Sequence, residues 1–223
     1  MKTNFKTQTV ENIDYLDELI MRYPQLEPLK REIQKAADRL IACYEQGNKV
    51  LVCGNGGSCS DADHIIGELM KGFENMRPIG DKLKTGLAEI AGERGQYLAG
   101  RLQQALPAIS LTAHSALITA VANDTDASLI FAQQVMGYGN EGDVIIGISS
   151  SGNSQNVIDA LITAKAKNMT VIGLTGETGG KMKPFCDILI NVPGKRTAFV
   201  QELHLPVYHV LCLMVENHFF GGK

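Results

Sequence analysis

The sequence predicts an α/β fold in which a five-stranded parallel sheet is flanked by helices. Five short apolar runs lack the alternation of a half-exposed strand, which is typical of strands buried on both faces. Helical segments lie between these runs, as in repeated βαβ units. The 223 residues suffice for one sizeable domain and are few for two. We expect a single three-layer αβα domain, flavodoxin-like or Rossmann-like, over residues 1–223.

Two helices are predicted before the first strand, within residues 10–47. Apolar residues recur there at helical spacing, on two stripes. These are Ile13, Leu16, Leu19 and Ile20 on the first stripe and Leu29, Ile33, Ala37 and Leu40 on the second. Pro24 lies between the stripes and is predicted to separate the two helices.

The core elements alternate along the rest of the chain. The predicted strands are residues 50–53, 108–111, 144–148, 171–174 and 188–192. The predicted helices are residues 60–70, 117–137, 154–166, 180–185 and 200–220.

An insertion of about residues 79–106 precedes the second strand. Its glycines, Gly86, Gly92, Gly95 and Gly100, predict helices that are interrupted or mobile. Three roles stay open for it: a lid, an oligomer surface, or a peripheral segment that only packs on the sheet.

Composition excludes several classes of function. The formal charge is −3 and no local basic patch is evident, so no nucleic-acid partner is expected. The five cysteines are odd in number and without paired spacing, which favours free thiols in a reducing compartment. The N-terminus lacks an apolar signal segment, and no apolar stretch is expected to reach the roughly 20 residues that span a bilayer. We expect a cytoplasmic protein with no membrane contact.

A glycine-rich loop follows the first predicted strand. Gly54, Gly56 and Gly57 permit close approach of the backbone to an anion before a helix begins. The same loop could be a plain turn. A dinucleotide site is disfavoured, because the glycine order is not Gly-x-Gly-x-x-Gly and no acidic residue ends the second strand.

A serine-rich loop, residues 149–154, follows the third predicted strand and leads into a helix. Hydroxyls and backbone N–H groups at a helix N-terminus suit a phosphate dianion. Ser151 or Ser154 could instead be simple N-caps. The loop contains no lysine, unlike a P-loop, so a single phosphate monoester fits it better than a triphosphate. Sugar phosphates are therefore the leading ligand class.

Two helices carry candidate proton carriers and metal ligands. His64 and Glu68 are four residues apart and share one helix face, although such a pair often makes only a local hydrogen bond. Gln201, His204 and His209 lie in the apolar C-terminal segment, where His204 could simply satisfy a backbone carbonyl. Pro206 is expected to kink or start that helix. On a straight helix, residues 201 and 209 are separated by about 12 Å along the axis. A kink, or ligands from a second subunit, would be needed to bring both side chains to one metal ion.

The two loops, Gly54 to Ser58 and Ile148 to Ser154, resemble the signature loops of SIS (sugar isomerase) domains. The helix pair and the C-terminal Gln-Glu-x-His-x-x-x-x-His pattern further resemble those of the sedoheptulose 7-phosphate isomerases. The resemblance implies a Zn²⁺ site at His64, Glu68, Gln201 and His209, with Glu68 and His209 as acid/base residues. It also implies a homotetramer with active sites at subunit interfaces.

The resemblance covers most of the chain and implies a set of substrate contacts. These are Asn55, Gly56, Gly57, Ser58, Asn123, Asp124, Ser149, Ser150, Ser151, Ser154 and Gln201. The chain departs from the family where Gly72 and Phe199 replace arginines, and in the insertion of about residues 79–106. These departures leave the identity of the sugar phosphate open.

The resulting hypothesis is a zinc-assisted isomerase that interconverts a ketose phosphate and an aldose phosphate through an enediol. The expected substrate is sedoheptulose 7-phosphate and the product D-glycero-D-manno-heptose 7-phosphate, with another sugar phosphate as the alternative. A second alternative is a non-catalytic SIS protein that binds a sugar phosphate or regulates replication. The regulator that resembles these isomerases lacks the acid/base pair, so Glu68 and His209 favour an enzyme.

Overall fold

The N-terminal helices are those expected on either side of Pro24. The computed structural model describes residues 14–221, so Ile13 and the predicted start near residue 10 lie outside the described residues. Helix α1 (Tyr15–Arg22) is capped at its N-terminus by Asp14, whose carboxylate accepts the N–H groups of Leu16 and Asp17. A 3₁₀ turn (Pro24–Leu29) then leads into α2 (Lys30–Glu45).

The five predicted strands form one parallel sheet, which confirms the predicted fold class. They are β1 (Val50–Gly54), β2 (Ala108–Ser110), β3 (Val144–Ser149), β4 (Thr170–Gly176) and β5 (Ile188–Val192). Their spatial order is β2-β1-β3-β4-β5. The chain therefore reverses direction of winding between β1 and β3, and ligands of such sheets bind at that switch point, outside the carboxyl ends of the strands.

Helices cover both faces of the sheet. One buried cluster joins the sheet to α1, α2, α3 (Gly57–Met70) and α8 (Thr197–Phe220). The other joins it to α6 (Ala132–Tyr138) and α7 (Gln155–Ala166). The predicted segment 180–185 is a 3₁₀ turn (Gly180–Phe185) that contains Pro184. The structure thus has the three layers that the alternating pattern predicts.

The predicted helix 117–137 is divided into four short pieces. They are α5 (Ser115–Val121), a π turn (Ala122–Asp126), a 3₁₀ turn (Ala127–Leu129) and α6 (Ala132–Tyr138). The break falls on polar residues whose side chains compete for backbone groups, since the Asp126 carboxylate accepts the N–H of Ser128. A continuous helix over this range was therefore the wrong expectation.

The insertion contains α4 (Asp81–Ala99), which is kinked in its middle. Ala91 and Gly92 leave helical geometry, and Gly92 has φ +50°. A Cβ on Gly95 would lie 1.8 Å from the carbonyl oxygen of Leu87, so the two arms touch through their backbones. Gly92 therefore interrupts the helix as predicted, whereas Gly86 lies in regular helix. Ile90, near the kink, is 85% exposed.

Helix α8 begins at Thr197 and continues through Pro206, so Pro206 does not start it. By length and composition alone this helix could cross a bilayer, which corrects the expectation that no apolar stretch qualifies. Half of that stretch is buried inside the domain, where α8 packs on α1, α2 and α3. The core helix of a soluble protein has the same length and composition, so these two properties alone are weak evidence for a membrane span.

Candidate functional site

The glycine loop and the serine loop leave the sheet side by side at the switch point. Gly54 at the end of β1 pairs with Ile148 of β3, so the two loops start at the same level. Gly56 has φ +57°, which favours glycine. A Cβ on Gly57 would lie 2.4 Å from Nε2 of Gln201, so α8 packs directly against the first turn of α3. Predicted residues from two distant segments thus meet here.

The serine loop is shaped by hydroxyls and one glycine. The Oγ atoms of Ser149 and Ser154 lie 3.0 Å apart. Ser154 occupies the N-cap position of α7, yet its side chain caps no N–H of the helix. Gly152 has φ +68°, and a Cβ there would lie 2.3 Å from the carbonyl oxygen of Gly179. Simple capping therefore does not account for Ser154, whose hydroxyl contacts that of Ser149 instead.

The two loops are joined by a pair of amides. Asn55 donates to Oδ1 of Asn156 at 2.8 Å, and Asn156 donates to Oδ1 of Asn55 at 2.9 Å. Asn156 lies in the first turn of α7 and was not among the predicted site residues. Its place in the first turn of the helix that follows the serine loop is a signal that could have found it.

The remaining predicted loop contacts differ in exposure. Ser58 is buried and Ser151 is exposed, with its Oγ accepting the N–H of Asn153 at 3.2 Å. Ser150 directly precedes Ser151 in the serine loop, and its carbonyl accepts the N–H of Gly176.

Among the described residues of one chain, Asn123 and Asp124 form no hydrogen bond with the glycine loop or the serine loop. Both are exposed, in the π turn between α5 and α6. In the described part of the chain their side chains hydrogen-bond only to each other, at 2.7 Å.

The predicted acid/base residues meet between α3 and α8. Nε2 of His64 lies 3.2 Å from Oε1 of Glu68, and the rings of His64 and His209 are 5.0 Å apart. Glu68 is only 8% exposed. Nε2 of His209 is buried and has no hydrogen-bond partner among the described residues. Burial, reinforced by the neighbouring His64, lowers the pKa of His209.

Three further side chains contact this cluster, and the sequence interpretation did not assign them. Lys71 donates to Oε2 of Glu68 at 2.8 Å. The hydroxyl oxygen of Tyr208 lies 3.0 Å from Nδ1 of His64, and the hydroxyl donates to Oδ1 of Asp61 at 3.3 Å. Asp61 is three residues before His64 and shares its helix face, a signal that could have found it.

His204 lies apart from the cluster. It is fully buried against Thr175, and neither ring nitrogen completes a hydrogen bond among the described residues. Burial lowers its pKa to about 4. The backbone of Thr175 approaches the imidazole and raises its pKa against the effect of burial. The expected backbone contact is therefore present, without full hydrogen-bond geometry, and the residue lies in the core as expected.

The donor chemistry of the cluster fits a zinc ion. Imidazole nitrogens and carboxylate oxygens are common ligands of Zn²⁺, and the unpaired Nε2 of His209 is an unused donor atom. Within residues 14–221, no three His, Cys, Asp or Glu side chains are arranged as a ready-made metal site. Gln201 lies against Gly57, seven residues before His64 on α3. Binding would therefore need a rearrangement or a further ligand.

All five cysteines are free thiols, as the sequence predicted. Burial raises the pKa of Cys53 and Cys212 to about 12. These two thiols are therefore protonated and are poor candidates for nucleophiles or metal ligands.

Comparison with known proteins gives a consistent result. The chain matches the SIS domain family over residues 14–90 and 85–176. It is 41% identical to a phosphoheptose isomerase of Burkholderia pseudomallei over 197 residues, 88% of this chain and 87% of that protein. A phosphoheptose isomerase of Clostridium acetobutylicum is 35% identical over 223 residues, 100% of this chain and 98% of that protein.

A solved structure agrees with these sequence matches. The phosphoheptose isomerase from Francisella tularensis superposes with a TM-score of 0.73 at 35% identity, covering 91% of this chain and 95% of that one. The similarity therefore extends over the sheet, both loops and the helix pair.

Proposed function

Because this chain belongs to the SIS domain family and is an aldose–ketose isomerase, we propose that it interconverts sedoheptulose 7-phosphate and D-glycero-D-manno-heptose 7-phosphate. The observation that carries the proposal is the meeting of Glu68 and His209 across α3 and α8, with Nε2 of His209 unpaired. An unpaired buried donor or acceptor costs about 1–3 kcal/mol. Its retention here favours a role in binding or proton transfer.

The serine loop binds the phosphate in this proposal. The hydroxyls of Ser149 and Ser154 are 3.0 Å apart, and the side chain of Ser154 caps no N–H group of α7. The first N–H groups of a helix attract an anion. Asn55, held by Asn156, and Gln201 are the polar groups of the same region that would contact sugar hydroxyls.

The reaction requires one proton to move between two carbons and one between two oxygens. The carboxylate of Glu68 removes a proton from C1 of the ketose, while the O2 oxygen gains a proton, which yields an enediol. Glu68 then returns its proton to C2, and the hydroxyl on C1 loses its proton as the aldehyde forms. His209 supplies the proton that O2 gains and takes back the proton that the C1 hydroxyl loses. No atom is gained or lost overall.

Zinc is part of the proposal, with His64, Glu68, Gln201 and His209 as the residues that would hold it. When bound, it would polarise the carbonyl oxygen as a Lewis acid. Lys71 donates to the second oxygen of Glu68 and so limits how that carboxylate can turn. Glu68 would serve best as a base if only loosely held as a ligand.

Distances along α3 favour a site shared between copies of the chain. Glu68 is eleven residues beyond Gly57, which corresponds to about 16 Å along a helix. A seven-carbon chain with single bonds of about 1.5 Å spans less than this. The acid/base cluster of one copy would therefore act with the loops of another. A homotetramer in the cytoplasm, with Gln201, Asn123 and Asp124 contributed by a second copy, fits this requirement.

A non-catalytic SIS protein is the second candidate function. The exposed π turn and α4 could serve a protein partner. The proximity of Glu68 and His209 favours an enzyme over a non-catalytic binding protein, because binding alone needs no proton carriers.

The proposal is tested with zinc-loaded wild type, Glu68→Gln, and Glu32→Gln on α2 as the control. Turnover of sedoheptulose 7-phosphate and bound zinc are measured in each. We expect wild-type and control turnover to agree and Glu68→Gln to lose at least about 100-fold in kcat. No turnover by a wild type that carries stoichiometric zinc would overturn the proposed substrate. Wild type with neither zinc nor turnover would overturn the isomerase in favour of the binding protein.

A further inference from the structure

A cavity of about 250 Å³ lies between α1 and α8 and borders the acid/base cluster. His209 forms part of its wall, and Nε2 of His209 is buried without a hydrogen-bond partner among the described residues. The apolar part of the wall comes from Leu19 of α1 and from Pro206, Val210 and Leu213 of α8. The cavity therefore extends the space beside His209 toward the N-terminal helix.

Arg22 supplies the permanent positive charge in the wall of this cavity. It lies in the last turn of α1, and its Cζ is 5.5 Å from the centroid of the Tyr23 ring. Its charge reaches His209, because burial, His64 and, to a smaller extent, Arg22 lower the pKa of His209. An arginine side chain stays protonated in proteins, so this charge is fixed.

The guanidinium of Arg22 is only partly engaged by other side chains. Its Nη1 lies 3.4 Å from Oε1 of Glu18, and both side chains are about half exposed or more, at 62% and 49%. That distance is longer than a typical N–H···O hydrogen bond. A guanidinium has five N–H donors in a planar fork, and in the described part of the chain the others meet no carboxylate. They are available to a ligand with paired oxygens.

The enediol route creates such a ligand at the reacting end of the sugar. As the proton leaves carbon, negative charge develops on the neighbouring oxygens O1 and O2, and hydrogen-bond donors fixed beside such oxygens stabilise the transition state. The two oxygens of a cis-enediol lie on the same side, where the two arms of one guanidinium can donate to both. The apolar part of the cavity wall limits the access of water, which strengthens this interaction.

We propose that the reacting end of the sugar enters this cavity and that Arg22 is a further catalytic residue, which donates to O1 and O2 and stabilises the charge that develops on them. The inference rests on the proposed function, because a non-catalytic binding protein has no such charge to stabilise. Glu68 and His209 move the protons, whereas Arg22 keeps its own and stays charged throughout.

The role of Arg22 is tested by turnover of sedoheptulose 7-phosphate in Arg22→Ala and Arg22→Lys, with Arg31→Ala as the control. Arg31 is an exposed arginine of α2 that does not line the cavity. For Arg22→Ala we expect kcat to fall about 100-fold with a smaller change in KM, because the charge is present in the transition state and not in the bound ketose. Arg22→Lys keeps the charge without the fork and should retain part of the activity. Arg31→Ala should match wild type.

Added guanidinium ion separates a catalytic role from a structural one. At concentrations well below those that unfold the protein, it can occupy the space that Arg22→Ala leaves. We expect kcat of Arg22→Ala to rise with guanidinium concentration and that of Glu68→Gln to stay unchanged. A kcat of Arg22→Ala equal to that of wild type, or a loss that guanidinium does not reverse, would overturn the inference and leave the proposed function standing. No turnover by wild type would overturn both the proposed function and the catalytic role of Arg22.

Discussion

Helices α3 and α8 share two polar clusters that differ in how completely their members are paired. In the first, Arg77 and Glu216 are both fully buried. Glu216 accepts the backbone N–H groups of residues 73–75, and Arg77 donates to Glu216 and to the carbonyls of Glu68 and Leu69. In the second, His64, Glu68 and His209 lie together, and Nε2 of His209 has no partner among the described residues.

The difference distinguishes the fully hydrogen-bonded Arg77–Glu216 cluster from the incompletely paired cluster of the candidate site. A buried ion pair is tolerated when further hydrogen bonds satisfy both partners, which is the case for Arg77 and Glu216. Because Arg77 holds the carbonyls at the C-terminal end of α3, it also fixes the backbone that carries Glu68. An incompletely paired cluster supported by a fully paired one is the arrangement expected where a ligand supplies the missing contacts.

Arg77→Met should have the largest effect on stability. It leaves Glu216 as a buried carboxylate without its charged partner and frees two carbonyls at the end of α3. We expect the free energy of unfolding to fall by about 3–5 kcal/mol, measured by urea denaturation.

The control for this variant is Arg22→Met. Arg22 makes an ion pair with Glu18 on α1, where the side chains are 62% and 49% exposed. Its loss should change the free energy of unfolding by less than about 1 kcal/mol. Equal effects of the two substitutions would refute the view that the buried cluster holds α3 in place.

Most of the fold could be predicted because it depends on apolar patterning. All five strands were found, since each lies in an apolar run; β1 and β3 are buried along their whole length, and the edge strands β2 and β5 are partly buried. The prediction of a continuous helix at residues 117–137 was wrong. The side chain of Asp126 accepts the backbone N–H of Ser128 there, and hydrophobic periodicity does not report such local hydrogen bonds. The predicted helix at residues 200–220 was found as α8, which begins three residues earlier, at Thr197.

The placement of the candidate site residues was predictable where the sequence resembled known motifs and not elsewhere. The proximity of His64, Glu68 and His209 agrees with the expectation, whereas the pairing of Asn55 with Asn156 depends on how β1 and β3 meet. Arg77 stands in a loop, and nothing in its sequence neighbourhood indicates complete burial. Contacts between residues more than a hundred positions apart are decided by tertiary packing, which local pattern does not encode.

His209→Phe should separate activity from stability in the second cluster. The ring lies among aromatic side chains, 5.0 Å from Tyr208 and 5.4 Å from Phe73, so a phenyl ring has suitable neighbours. We expect kcat to fall at least about 100-fold through loss of proton transfer. The free energy of unfolding should be unchanged or higher by about 1 kcal/mol, because an unpaired buried nitrogen is removed.

His218→Phe is the matched control on the same helix. His218 is exposed and pairs with Glu45, so its substitution should leave kcat unchanged. A loss of about 2 kcal/mol or more of stability in His209→Phe would show that His209 belongs to the paired, structural class instead.

The smallest predicted effect is a pH dependence of stability that belongs to the first cluster. Burial alone would raise the pKa of Glu216, but the N–H groups of residues 73–75 and Arg77 outweigh it and lower the pKa below its ordinary 4.5. A carboxyl whose folded pKa is lowered stabilises the protein above its unfolded pKa, and this stabilisation is lost as the pH falls through the folded value. Urea denaturation between pH 5 and pH 3 should show Glu216 contributing a slope of up to about 1.4 kcal/mol per pH unit. Glu216→Gln, which retains an oxygen acceptor, should lose this slope, whereas Glu45→Gln, at an exposed carboxylate, should keep it. An identical acid dependence in wild type and Glu216→Gln would mean that the paired cluster is not held by ionised Glu216.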